Sequence, residues 1–85
     1  MYFVYIIQSE KYGSFYSGIS GNINKRFSEH NSGAVKYTSS KRPYKLIWFC
    51  VFGDKKMAFD FEKYLKTGSG IAFRNKHIIK NYHKL

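Results

Sequence analysis

The chain of 85 residues has very little of several residue types that mark other protein classes. Its one cysteine, Cys50, has no partner within the chain, so a disulfide-stapled secreted module is excluded and we expect a cytoplasmic location. No apolar run approaches the roughly 20 residues of a membrane span. Residues 1–7 carry neither a basic leader nor a small-residue cleavage site. We therefore expect neither export nor a membrane partner.

Acidic residues are also scarce. Five Asp and Glu stand against 15 Lys and Arg, which gives a formal net charge of +10 that is spread through the chain. A field of this sign attracts phosphate polymers and makes their binding depend strongly on salt, because bound counterions are released. The charge indicates a polyanionic partner, but it does not by itself separate DNA, RNA and anionic lipid.

The length has room for a single domain, residues 1–85, with a small core. Hydrophobic periodicity and capping residues predict strand, strand, helix, strand, helix and helix, at about 2–8, 14–20, 22–32, 45–52, 55–67 and 71–82. We expect an α/β (α+β) fold, a three-stranded mostly antiparallel sheet flanked by helices in the order ββαβαα. The continuous apolar run 45–52 predicts a strand covered on both faces, and the glycines of 68–70 predict a break between the last two helices.

The first two strands form the predicted hairpin. A turn centred between Glu10 and Lys11 places Tyr5 opposite Tyr16, so that the two phenols share a face. The same register sets Phe3 opposite Gly18, which leaves space beside the phenols.

The first helix carries two side chains of chemical interest. Asn22 is a suitable N-cap and Gly33 a suitable left-handed stop. Arg26 and His30 lie one turn apart and are predicted to form a polar row at the margin of the helix.

A basic, hydroxyl-rich loop spans residues 34–44. The loop is either a solvated connector or a strip that follows a phosphate backbone, and the net charge favours the phosphate-following strip. The nucleic-acid-binding candidates are cationic residues in this loop and on two helices: Lys25, Lys36, Lys41, Arg42 and Arg74.

These residues together carry a family resemblance. Phe3-Val4-Tyr5 and Tyr16-Ser17-Gly18 are followed by Arg26, ten positions after the second tyrosine, and by His30. A later helical segment, 58–66, contains Glu62. In order and spacing the chain resembles the GIY-YIG nuclease superfamily, and within it the small stand-alone domains similar to the catalytic domain of the bacterial excinuclease C subunit.

The resemblance implies hydrolysis of DNA phosphodiesters at one divalent cation, Mg²⁺ or Mn²⁺, with Glu62 as its protein ligand. Arg26 then offsets charge on the transition state, since its planar fork matches two phosphate oxygens. Tyr5 is our first choice as general base and Tyr16 orients phosphate or water. His30, whose ordinary pKa is about 6.5, is the rival base or a relay for Tyr5.

Two positions depart from the family pattern. Phe3 replaces the glycine that names the first motif, and Ile19 stands where the excinuclease domain has a lysine. The second change removes a cation that could lower the pKa of the base, which favours a larger role for His30.

Other interpretations stay open. Glu62 could simply pair with Lys66 one turn on, and the tyrosines could be ordinary strand aromatics. As alternatives to an endonuclease of DNA repair or recombination, the chain could be a non-catalytic nucleic-acid-binding module or a protein-interaction domain. DNA is the expected partner, in a branched, nicked or single-stranded form that the sequence does not decide, and a protein partner that supplies DNA affinity is left open.

Overall fold

Three strands form one sheet with β1 at its centre, and every pairing is antiparallel. The computed structural model describes residues 1–79. The strands are β1 (Tyr2–Ser9), β2 (Phe15–Ser20) and β3 (Tyr44–Phe52). The helices are α1 (Ile23–Ser32), α2 (Lys55–Tyr64) and α3 (Gly68–Phe73), with a 3₁₀ turn at Ser39–Lys41 and a π-helical stretch at Arg74–Ile79. The predicted fold class, a three-stranded antiparallel sheet with helices, and the order of strands and helices along the chain are confirmed.

The register of the hairpin differs from the predicted one by two residues. Tyr5 lies opposite Gly18, and Tyr16 lies opposite Ile7. The turn is centred one residue later than predicted, and it is held there because the Ser9 hydroxyl accepts from the amide of Tyr12 and the Ser9 carbonyl from that of Gly13. Since side chains alternate faces with a period of two, a shift of two residues still leaves both phenols on one face.

The two faces of β1 support separate clusters of apolar side chains. One face packs Val4 against α2, with Ala58 and Leu65 buried beside it. The opposite face packs Tyr5 and Ile7 under α1, together with the residues Tyr16, Ile23, Phe27, Tyr44 and Leu46. The sheet is thus held between two helices, and Tyr5 belongs to the α1 side.

Asn31 fixes the end of α1 to the sheet. Its side-chain oxygen accepts from the backbone N–H of Tyr44 at 2.7 Å, and its amide donates to the carbonyl of the same residue at 3.0 Å. The helix begins after Asn22, whose side chain accepts from the amide of Lys25, and ends at Gly33 with φ of 86°. Both predicted ends of α1 are confirmed.

The prediction that β3 is covered on both faces is wrong. The strand lies at an edge of the sheet, and Phe49 and Val51 are 49% and 44% exposed. They alternate with the half-buried Cys50 and Phe52, which pack against the α2 cluster. The apolar sequence of residues 46–52 thus does not reflect burial of both faces, since the exposed face of this edge strand carries apolar side chains as well as the packed face.

The region after α2 is also organised differently. Asp54 caps α2 as predicted, but the helix ends at Tyr64 rather than Thr67. The break between the two helices falls at residues 65–67 rather than at 68–70, which form the first turn of α3, with the Thr67 hydroxyl accepting from the amide of Gly70. Residues 80–82 of the predicted last helix lie outside the described part. No helix among residues 1–79 combines the length and apolarity needed to cross a membrane.

Candidate active site

Tyr5 lies at the centre of the candidate site. Its side chain is only 2% exposed, and its hydroxyl is 2.7 Å from Nε2 of His30. The phenol crosses directly over Gly18, where a Cβ atom would collide with the phenol oxygen and ring. The second tyrosine motif therefore supplies a glycine whose missing side chain makes room for the tyrosine of the first.

His30 is fully buried, so the prediction that it lies at the helix margin is wrong. Its Nδ1 is 2.7 Å from the Thr38 hydroxyl, which can donate onward to the Val35 carbonyl at 3.4 Å. With Thr38 donating to that carbonyl, Nδ1–H of His30 donates to Thr38 and Nε2 accepts from Tyr5. The three side chains form a buried hydrogen-bonded row of phenol, imidazole and hydroxyl.

Burial sets the protonation states of this row. It lowers the pKa of His30 to about 4, with the Arg26 charge acting in the same direction. Burial likewise raises the pKa of Tyr5 to about 12, while Arg26 opposes this shift and the neighbouring Tyr16 and Glu62 add to it. Near neutral pH the imidazole is therefore neutral and the phenol protonated. Arg26, Tyr16 and Glu62 therefore all lie close enough to Tyr5 to shift its pKa.

Arg26 acts on the pKa of Tyr5 and is paired with Glu29. Its Nη1 donates to Oε1 of Glu29 at 3.2 Å, and the side chain is about two-fifths exposed. Although burial works against its charge, bonds to Glu29 and Tyr5 raise the pKa of Arg26. With Lys25 and Asn22 the guanidinium lines an open cleft of about 370 Å³.

Glu62 approaches from α2 and is 8% exposed. The expected pairing with Lys66 is present: Nζ lies 2.7 Å from Oε2 of the carboxylate. Nζ also lies 4.8 Å from the centre of the Tyr16 ring. Burial opposes the charge of Lys66, but Glu62 and Tyr16 raise its pKa. A cation therefore does lie next to the second tyrosine, although Ile19 does not supply it: the lysine comes from the turn after α2.

A metal ion could be held only through a sparse set of protein ligands. Among residues 1–79 there is no group of three or more His, Cys, Asp and Glu side chains placed to bind one ion. A single nearly buried carboxylate fits Mg²⁺, which commonly takes one or two carboxylates and completes its shell with water and substrate phosphate. Glu62 meets that requirement, with Lys66 as a competitor for the same oxygens.

The nucleic-acid-binding candidates are distributed around this centre. Lys25 lines the Arg26 cleft, Lys41 lines a cleft with Tyr16, and Arg74 lines a third cleft that also reaches Tyr16; Lys36 is exposed in the loop. Arg42 is engaged elsewhere, since its Nε donates to the carbonyl of Ser39 at 2.8 Å. Four of the five cations are therefore placed near the centre or on the exposed loop, and Arg42 braces that loop.

Sequence reasoning missed three residues of this site. Thr38, 1% exposed, is the partner of His30, and Tyr37 packs against Tyr16 with ring centres 5.7 Å apart. Both lie in the basic loop 34–44, for which the sequence favours a strip that follows a phosphate backbone, and no spacing rule identifies a loop hydroxyl as a histidine partner. Lys66 had a signal in its distance of four residues from Glu62, but that signal does not reveal Tyr16.

Tyr5 and Tyr16 lie on one face of the sheet, and α1 and α2 carry Arg26 and Glu62. Together these features define one class of catalytic domain. Residues 1–82 match the family model described as the GIY-YIG catalytic domain, and the chain belongs to the GIY-YIG family. The predicted resemblance is confirmed, and family membership supports a nuclease-like function.

Within the family the chain is similar to UPF0213 proteins. It is 40% identical over 67 residues to one from Clostridium perfringens, a match that covers 78% of this chain and 71% of the relative. It is 38% identical over 69 residues to one from Staphylococcus saprophyticus, covering 80% and 83%. The solution NMR structure of the Bacillus halodurans UPF0213 protein BH0048 superposes with a TM-score of 0.53 at 27% identity, covering 100% of this chain and 97% of that one.

Proposed function

We propose that this chain is a metal-dependent endonuclease that hydrolyses DNA phosphodiester bonds. The observation that carries the proposal is the buried row of Tyr5, His30 and Thr38, whose phenol has a pKa that Arg26 lowers and Glu62 raises. A phenol, a guanidinium and a carboxylate are the groups needed to accept a proton, neutralise a phosphorane and hold a cation.

The proton path follows from the hydrogen bonds. His30 has no exposed surface, so it cannot meet the attacking water directly and acts through Tyr5. As the Tyr5 oxygen takes a proton from water, the phenol proton passes to Nε2 of His30, while Thr38 holds the imidazole by Nδ1. This relay avoids a free phenolate, which the pKa of about 12 would make rare at neutral pH, and it forms the imidazolium only transiently, since the pKa of His30 is about 4. The proposal thus assigns the base to Tyr5 and the relay to His30.

The other charged groups act on the phosphate. Arg26, at the mouth of its cleft, neutralises charge that develops on the non-bridging oxygens, and its bond to Glu29 fixes its direction. Tyr16 orients the phosphate or the attacking water. Glu62 would hold one divalent cation, Mg²⁺ or Mn²⁺, which when bound polarises the phosphate and stabilises the leaving oxygen.

A second candidate function is a DNA-binding module without turnover. It is favoured by one specific observation: both key charges are already paired, Arg26 with Glu29 and Glu62 with Lys66. Such a module would use the net charge of +10 for salt-dependent binding. A protein partner that supplies DNA affinity, a role in repair or recombination, and a cytoplasmic location belong to the proposal in either form.

Cleavage assays with a matched carboxylate control separate the two candidates. Purified protein is incubated with branched, nicked and single-stranded DNA and Mg²⁺ or Mn²⁺. We expect Glu62→Gln to lower the cleavage rate by at least about 100-fold, the scale of losing one electrostatic stabiliser. Asp60→Asn is the control, because Asp60 lies on the same helix and also pairs with a lysine four residues away.

The control should cleave as the wild type does. Cleavage that survives Glu62→Gln would remove Glu62 from the site. Salt-sensitive binding with no cleavage under any of these conditions, unchanged by the substitution, would favour the binding module.

A further inference from the structure

A second cleft adjoins the active site on the side of Tyr16. It has a volume of about 420 Å³ and is walled by the rings of Phe15, Tyr16 and Tyr37, with the cations Lys66 and Arg74 on its rim. The volume falls within the range of sites that enclose a small organic molecule. Because Tyr16 and Lys66 also belong to the candidate active site, an occupant of this cleft would lie next to that site.

One ring of this wall, that of Tyr37, is open to solvent. Tyr37 is 82% exposed, although its ring lies against Tyr16 with an interplanar angle of 44°. A side chain exposed to that extent adds little to the core, so burial does not account for a large ring at this place. A flat ring at the edge of a cleft is a surface on which a nucleobase can stack.

The cations are placed for phosphate. The Arg74 guanidinium lies 4.9 Å above the centre of the Phe15 ring and is held from one side by Asn75, which accepts from Nε and Nη2. The ammonium of Lys66 lies over the Tyr16 ring, at the end of the cleft nearest Glu62. An occupant with one flat aromatic face and flanking negative charge matches this arrangement, and a nucleotide has both.

We propose that this cleft holds one unpaired nucleotide of the DNA, next to the phosphate that is cleaved, with its base against Tyr37. In a duplex the faces of each base are covered by its neighbours, so only an unpaired or extruded base can lie against a protein ring. The substrate class is therefore DNA with a flap, gap or branch at the cleavage position. The inference rests on the proposed function for the position of the cleaved phosphate, but binding of a nucleotide in the cleft does not require cleavage.

Binding in the absence of divalent metal tests the cleft alone. The probes are a nicked duplex with a one-nucleotide flap of 2-aminopurine, and the same duplex with that nucleotide paired. We expect the wild type to bind the flap about tenfold more tightly, as for one base stacked on one ring, and to quench its fluorescence. Tyr37→Ala should reduce the preference to less than about twofold and remove the quenching.

Two controls match the altered groups. Tyr12→Ala removes another exposed tyrosine, which is 62% exposed and, like Tyr16 of the cleft, has a lysine above its ring. Lys63→Gln removes a cation 5.5 Å above the ring of Phe59, as Arg74→Gln removes one above Phe15. We expect Arg74→Gln, but not Lys63→Gln, to weaken flap binding more than binding of the paired probe.

Equal affinity for the two probes, or an equal effect of Tyr12→Ala and Tyr37→Ala, would overturn the inference. These outcomes are distinct from failure of the proposed function. Metal-dependent cleavage at equal rates on flapped and fully paired DNA would keep the enzyme and reject the cleft. A flap preference that depends on Tyr37, without cleavage, would keep the cleft and reject the enzyme. Unfolding midpoints of all four variants verify that each is folded, and we expect Tyr37→Ala to unfold as the wild type does.

Discussion

Gly18→Ala is the substitution with the most specific expected effect, because one methyl group would enter the space of a catalytic candidate. A Cβ at this position would meet the Tyr5 hydroxyl and the ring carbon that carries it. Tyr5 cannot move freely, since it is buried and bonded to His30. The variant must therefore either strain the hairpin or displace the phenol from the imidazole.

The cost can be estimated from these two effects. Inserting a methyl group into a packed site destabilises by about 1 to 3 kcal/mol. Leaving the buried Nε2 of His30 without its partner adds about 1 to 3 kcal/mol. The total of about 2 to 6 kcal/mol is a large part of the roughly 4 to 13 kcal/mol that stabilises a domain of this length.

Urea unfolding followed by the fluorescence of Trp48 measures this cost. For m near 1 kcal/mol per molar, the midpoint should fall by at least about 2 M. Gly21→Ala is the matched control, since a Cβ there has nothing within 4 Å and should leave the midpoint almost unchanged. A Gly18→Ala protein as stable as Gly21→Ala would refute the packing of Tyr5 over this glycine.

The remaining predictions concern the charges and the hydrogen-bonded row. The pKa of His30 is lowered to about 4, so its contribution to stability is complete above pH 6.5 and is lost as the pH falls toward 4; the loss is about 3 kcal/mol. His30→Gln should flatten this acid dependence in urea titrations, and an unchanged slope would count against a buried neutral imidazole. Thr38→Val should slow single-turnover cleavage by about 5- to 100-fold, since the Nδ1 partner is lost; an unaltered rate would show that Thr38 does not position His30. Lys66→Gln should tighten Mn²⁺ binding by about fivefold in a titration, because a half-exposed ion pair with Glu62 worth about 1 kcal/mol no longer competes. Weaker Mn²⁺ binding would contradict competition at that carboxylate.

The fold was largely predictable because its signals are local. The caps of α1, Asn22 and Gly33, and the cap of α2, Asp54, have chemistry that requires no knowledge of distant residues. The hairpin register was not predictable to the residue, since a side-chain bond of Ser9 holds the turn in place. The prediction that both phenols lie on one face of the hairpin was nevertheless right, because an error of two residues preserves the alternation of side chains.

The site was predictable only where residue type implies chemistry. Tyr5, Tyr16, Arg26 and Glu62 were named from motif order. Tyr5 and Tyr16 share one cluster, Lys66 links Glu62 to Tyr16, and Arg26 acts on the pKa of Tyr5. The depth of His30 was not predictable, because helix periodicity places it at a margin that the loop 34–44 then covers. Thr38 and Tyr37 reach the site from that loop, where no periodic pattern constrains side-chain position.

The most direct test of the nuclease mechanism is the single-turnover cleavage rate of Tyr5→Phe on nicked or branched DNA with Mg²⁺ or Mn²⁺. The change removes only the hydroxyl that bonds to His30 and keeps the buried ring. Tyr12→Phe, at an exposed position, is the control. We predict that Tyr5→Phe binds DNA as the wild type does but cleaves at least about 100-fold more slowly, the lower range for a positioned acid–base group. Cleavage by Tyr5→Phe at the wild-type rate would contradict the proposal that this phenol accepts the proton of the attacking water.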